Sequence, residues 1–129
     1  MKGVDIHNAS FLKTDLRGAF LANSNFSNCN FSKAILITAY LMNANIKNAN
    51  MQKCRAFGCN FTGADSRSAN LNEANVNGAN FSRYKLQGSV MTCKDIAMAI
   101  FKNATYDDST IWPKDFDYDK AGCLKVNYF

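Results

Sequence analysis

The chain has 129 residues, 47% of them hydrophobic, which is one domain's worth with material for a continuous core and excludes a disordered chain. Five cysteines (29, 54, 59, 93 and 123) at no C-x-x-C spacing indicate neither a disulfide framework nor a zinc site, and no run of about 18 apolar residues could span a bilayer. The net charge of +5 is uneven: residues 1–94 carry eleven Lys/Arg against four Asp/Glu, and residues 95–129 carry four against six. The opening MKGVDIHNAS has no apolar core of a signal peptide. With reduced thiols, this gives the expectation of a cytoplasmic protein with no membrane partner.

From residue 4 to residue 91 a period of five never slips, giving eighteen units. The middle slot of each unit holds Ile6, Phe11, Leu16, Leu21, Phe26, Phe31 and so on to Met91, with Ala56 and Ser66 undersized. Two residues earlier lies a small slot of Ala, Cys, Ser or Thr, broken by Val4 and Tyr84; repacking of degenerate repeats accounts for these misfits. Between the two slots Asn or Asp occurs eleven times, as in Ala44-Asn45-Ile46. A strict five fits neither the 3.6 period of a helix nor a long alternation of period two, so the chain must turn every five residues. Positions two apart share a side of an extended segment, which puts both slots inside and the Asn or Asp outside. Asn, Ser and Gly at the remaining positions suit the turns.

This pattern resembles the pentapeptide-repeat family, whose motif is A-(D/N)-(L/F)-x-x. The resemblance implies an all-β fold, a right-handed quadrilateral β-helix of about 4.5–5 coils over residues 4–108, closed by an irregular capping tail over 109–129. Residues twenty apart then stack. Leu21, Leu41, Phe61 and Phe81, continued by Phe101, form one inner column, and Phe11, Phe31, Met51, Leu71 and Met91 another.

Beyond residue 91, Ile96, Phe101 and Tyr106 keep the middle slot, and Lys94 is the one residue wrong for the small slot. Residues 93–103 read as a disturbed solenoid side, or as a short helix with Thr92 as N-cap and Asp95 three residues on. The tail, Tyr106-Asp107-x-x-Thr110-x-Trp112-Pro113-x-x-Phe116-Asp117, is similar to the ending of cyanobacterial members of the family. Trp112, Pro113 and Phe116 are expected to cap the last coil, with Pro113 setting an extended path; the N-terminal end has only Met1–Gly3 to cover it. A monomer, or a dimer joined through that end, is expected.

Catalytic, cofactor and metal residues are not indicated. His7, the sole histidine, stands near Asp5 and Ser10 without the surroundings of a triad. Asp115-Phe-Asp117-Tyr-Asp119 opens like a calcium loop, but Lys120 and Val126 stand where such a loop needs Gly and Glu. Cys29, Cys54 and Cys59 fill small slots, which makes Cys93 and Cys123 the more reactive pair. The family resemblance also brings a DNA-mimicking modulator of gyrase into view, a role that needs an acidic rod, whereas residues 1–94 are basic. A nucleic-acid-binding basic solenoid is a further alternative, disfavoured because Phe20 and Tyr40 are the obvious outward aromatics and they stack on one face. What remains is a non-catalytic, rod-shaped interaction or spacer module with an unknown protein partner.

Overall fold

In the computed structural model, which describes residues 3–126, the chain turns at every fifth residue. The outward residue of each short side bridges in parallel to the one twenty further on: Asp5 to Asn25, Ser10 to Asn30, Asp15 to Ile35, Phe20 to Tyr40, and so upward. Four sides make one coil, and coils joined this way repeat about every 4.8 Å along the axis. Residues 1–2 and 127–129, part of the expected overhang and tail, lie outside the described residues.

The corners explain why the period is five. In most of them the carbonyl of the middle-slot residue accepts the N–H three residues on, as from Ala44 to Leu41 (3.1 Å), and the third residue of the turn has positive φ while the second does not. That is the type II turn, which suits Gly or Asn at its third position. Ten of the seventeen corners from residue 8 to residue 88 comply; the others place Lys13, Lys33, Thr38, Lys53, Ser68, Glu73 and Arg83 at φ between 55° and 63°. A residue with a Cβ loses about 1–2 kcal/mol in this conformation. At Gly63 (φ 70°) an added Cβ would also press on Asn43 Oδ1, the free end of a side chain, which would have to move aside.

The outward Asn residues are more than solvated ornaments. Asn25, Asn30, Asn45, Asn50, Asn60, Asn70, Asn75 and Asn80 each turn Oδ1 back to accept the N–H two residues on, at 2.9–3.1 Å. Asp5, Asp15 and Asp65 do the same. This Asx turn satisfies the one corner N–H that neither the coil above nor the turn itself takes up.

Inside, Leu21, Phe31, Leu41, Phe61, Leu71 and Phe81 are all at 1% exposure or less, whereas Phe11 in the first coil is half-buried. Rings stack along the axis: Phe11 on Phe31 at 5.0 Å, Phe61 on Phe81 at 4.9 Å, and Phe81 on Phe101 at 4.9 Å. The misfit residues compensate one another. Tyr84 is fully buried, with its ring against Phe61 and Phe81, in the region where Ala56 and Ser66 leave room.

Residues 92–100 form a solenoid side rather than a helix, with the register slipped. Lys94, not Asp95, bridges to Asn75, which is a deletion of one residue; Asp95 in the left-handed region and a 3-10 turn at Ile96–Met98 return the residue, so that Ile100 bridges to Asn80. Asp95 itself makes no side-chain cap. Lys94 is therefore outside and exposed, and Cys93 takes the small slot, donating its thiol to Leu71 O (3.5 Å). Pairing also runs past residue 108. Ile111 bridges to Val90, and β1 (Thr105–Tyr106) pairs in parallel with β2 (Leu124–Lys125), so the chain re-enters the stack after an irregular excursion over 112–122. Pro113 does not begin an extended path: its carbonyl accepts from Phe116 N–H (3.3 Å), and Asp115 has φ 69°, so the excursion starts with a turn like those of the repeats.

Candidate functional site

With the interior filled, functional chemistry has to reside on the outer columns, and these differ by side. The second side stacks Ser10, Asn30, Asn50 and Asn70; the fourth stacks Phe20, Tyr40, Asn60 and Asn80; the third stacks Asp15, Ile35, Arg55, Asn75 and Lys94. The corner between the second and third sides is a single charged column of Lys13, Lys33, Lys53 and Glu73. Each of these residues donates its N–H to the coil above, from Lys13 to Ser32 O, from Lys33 to Gln52 O and from Lys53 to Asn72 O, each at 3.0 Å.

Where this corner meets the third side, a shallow depression of about 480 Å³ opens between Lys53, Arg55, Phe57, Glu73 and Lys94. The slipped register is what brings Lys94 to its rim. Arg55 lies over the ring of Phe57 with Cζ 5.7 Å from its centroid, and Lys53 Nζ is 3.7 Å from Glu73 Oε2. Such a cation–π contact holds the guanidinium against the wall. Three cations against one carboxylate make the depression a donor-rich, positive surface. That Lys94 joins these charges is not visible in the sequence, where the period of five places it in an inner slot.

The other candidates are placed as follows. Asp5 Oδ1 is 2.7 Å from His7 Nδ1, and Asn25 Nδ2 donates to the same oxygen, all exposed; Ser10 belongs to the next side, its hydroxyl accepting from Leu12 N–H. Asp5 is held below the ordinary carboxylate range, chiefly by His7. No group of three or more His, Cys, Asp or Glu side chains able to hold a metal ion exists among the described residues. Asp119 instead accepts from Tyr106 Oη (3.1 Å), whose phenol is pushed up to about 12, first by burial and then by that bond. Trp112 packs edge-on against Phe101 (5.9 Å) and Tyr106 (5.8 Å) and stacks on Tyr118, and Phe116 lies 5.5 Å from Phe101.

The expectation of a reactive pair at Cys93 and Cys123 is corrected. Cys93 stacks above Cys54 and Ala74 on the third side, and Cys123 above Ala104 on the first, opposite side; both are buried and free, and burial pushes both thiols up, that of Cys123 to about 12. Phe20 and Tyr40 do form an exposed pair, their rings parallel at 4.6 Å.

A family model described as pentapeptide repeats matches residues 21–63 and 49–88, eight copies in all and more than half of the chain. No curated protein matches. Among solved structures, the pentapeptide repeat protein Rfr23 from the cyanobacterium Cyanothece 51142 aligns at TM-score 0.72 and 23% identity over 86% of each chain. A pentapeptide repeat protein of the Arabidopsis thaliana thylakoid lumen aligns at TM-score 0.58 and 22% identity over 84% of this chain and 70% of that one. QnrB1, a plasmid-mediated fluoroquinolone resistance protein, aligns at TM-score 0.44 and 21% identity over 96% and 83%. With coils stacked at a period of twenty residues and the family model matching residues 21–88, the chain belongs to the pentapeptide repeat family.

Proposed function

We propose that the protein is a non-catalytic rod that binds or spaces a protein partner in the cytoplasm. The observation that carries this reading is the division of labour between interior and exterior. Apart from Ile96 at 7%, the large inner residues from Leu21 to Phe101 are at 2% exposure or less, while the outer columns present unlike chemistry on straight, parallel lines. A rigid surface of this kind presents a partner with fixed rows of groups at little ordering cost, the usual source of selective binding in stacked-repeat proteins. Five free, buried thiols are consistent with a reducing compartment.

Affinity capture from an extract of the native cell, with the purified rod as bait, is expected to enrich one protein above the bare resin. Recovery of nucleic acid alone, or of nothing, would sink the reading. A gyrase supercoiling assay run beside it is expected to show no effect at micromolar protein, because eleven basic against four acidic residues over 1–94 is the wrong sign for imitating duplex DNA. Inhibition abolished by neutralising Asp107, Asp108, Asp115, Asp117 and Asp119 would overturn that expectation.

A further inference from the structure

We propose that the corner formed by Lys13, Lys33 and Lys53, together with Arg55 and Lys94, is the docking edge for an extended acidic segment of the protein partner. The inference rests on the binding-rod reading and specifies where and with what chemistry it operates.

Three independent observations converge on this edge. The first is strain. The three lysines occupy left-handed corner positions at φ 57°, 58° and 59°, and this corner has neither Gly nor Asn at residues 13, 33, 53 or 73, whereas each of the other three corners uses them repeatedly. The backbone would be relieved by Asn at any of the three. The second is repulsion. Like charges in vertical register on adjacent coils oppose folding, and only Lys53 has an opposite charge beside it, in Glu73. Two costs borne along the same column, with no ion pair to Lys13 or Lys33 among the described residues, point to a role outside the molecule. The third is the polarity of the neighbouring column. Asn30 and Asn50 give their Oδ1 atoms to the N–H groups of Ser32 and Gln52, leaving amide NH2 groups as outward donors beside the lysines. Together with the positive depression walled by Arg55 and Lys94, the edge presents donors and positive charge over three coils.

The chemistry that answers such an edge is a row of carboxylates. An extended strand sets alternate side chains about 6.8 Å apart on one side, within the reach of lysine stems rooted at about 4.8 Å intervals. A nucleic acid fits less well. Its unbroken phosphate row would have to pass Glu73 and Asp15, and no described aromatic ring beside this edge is open to a base: Phe57 has Arg55 over its ring, and the exposed pair of Phe20 and Tyr40 stands on the fourth side. A peptide can leave a neutral residue opposite Glu73.

The test uses the full chain and a fluorescein-labelled peptide of about twelve residues alternating Glu and Ser, followed by anisotropy at low and moderate salt, with a dT oligonucleotide of the same length in parallel. The wild-type protein is expected to bind the peptide in a salt-sensitive manner and more tightly than the oligonucleotide. The triple variant Lys13→Asn, Lys33→Asn, Lys53→Asn is expected to weaken peptide binding about 10-fold or more while its melting temperature stays level or rises. A charge-matched variant, Lys47→Asn, Lys85→Asn, Lys102→Asn, is expected to change binding less than about 3-fold, and the arginine triple at 13, 33 and 53 to retain it. Equal loss in the two Asn triples would reduce the effect to bulk charge and overturn the proposal. It is also overturned by no binding in the wild type, by tighter binding of the oligonucleotide, or by a fall of several degrees in the melting temperature of the corner triple. If the peptide fails while affinity capture still yields a protein partner, the edge is wrong and the binding-rod reading stands.

Discussion

Phe11 and Phe101 occupy equivalent kinds of slot at opposite ends of the stack, and they differ more in surroundings than in any property of their own. Phe11 stacks on Phe31 on one face and remains half-buried, while Phe101 stacks on Phe81 on one face and meets Trp112 and Phe116 on the other, leaving 2% exposed. In a stacked fold a residue is buried by the coil above and the coil below. An end is therefore a matter of what covers it. The C-terminal excursion supplies three aromatic side chains, Trp112, Phe116 and Tyr118, to that purpose, and the described N-terminal coil has no counterpart.

Removing the cover is expected to have the largest effect. Deletion of residues 109–129 is expected to lower the melting temperature more than any single substitution and to promote association, since it bares Phe101 and Tyr106 together with an unpaired parallel edge. Light scattering and thermal melts read both effects; an unchanged mass with an unchanged melting temperature means the segment covers nothing. Next in size, Phe81→Ala is expected to destabilise by about 3–5 kcal/mol in denaturant titrations and Phe11→Ala by roughly half as much, because part of the site around Phe11 is already open. Equal costs at the two positions would show that the ends are not different.

Thiol chemistry distinguishes the centre of the stack from its uncovered end. Burial raises the Cys54 thiol from an ordinary value of 9.0 to about 12, and the Cys59 thiol well above that ordinary value too. Their folded pKa values lie above the unfolded one, so the unfolded chain loses protons first as pH rises. The stabilisation held by these protons is complete below about pH 9 and is lost from there towards pH 12. Midpoints of urea unfolding should fall across that window and be flat with respect to these groups at neutral pH. Alkylation during partial unfolding, read by mass spectrometry, is expected to label Cys29, one coil from the uncovered end, before Cys54 or Cys59 in the centre. The smallest effect is at Asn75→Ser, expected to cost less than about 1 kcal/mol because a hydroxyl can still accept the corner N–H, though more weakly.

Much of this arrangement is legible in the residues. Period five identifies the inner columns from Leu21 to Phe81 because side chains two apart on an extended segment must share a face, and a repeated Ala or Cys leaves no other place for the larger neighbour. Three things are hidden from counting. The deletion at Cys93–Lys94 is undone by the extra residue around Asp95, so the period looks intact while Cys93 and Lys94 exchange inside and outside. The return of Leu124–Lys125 to the stack depends on contacts across seventeen intervening residues that carry no repeat. The strain at Lys13, Lys33 and Lys53 is masked because a left-handed corner announces itself in sequence only through Gly or Asn. What sequence could not supply for the basic edge is thus its geometry, not its charge.

Because the ladder hydrogen bonds, such as Ile6 N–H to Asn25 O (2.9 Å), run from coil to coil along the axis, tension applied between the ends loads them in line. A coil of twenty residues occupies about 4.8 Å of the rod yet contains roughly 70 Å of extended chain. Pulled from its ends, each coil that peels away would lengthen about fifteenfold, so that the rod releases chain in equal steps like line from a reel.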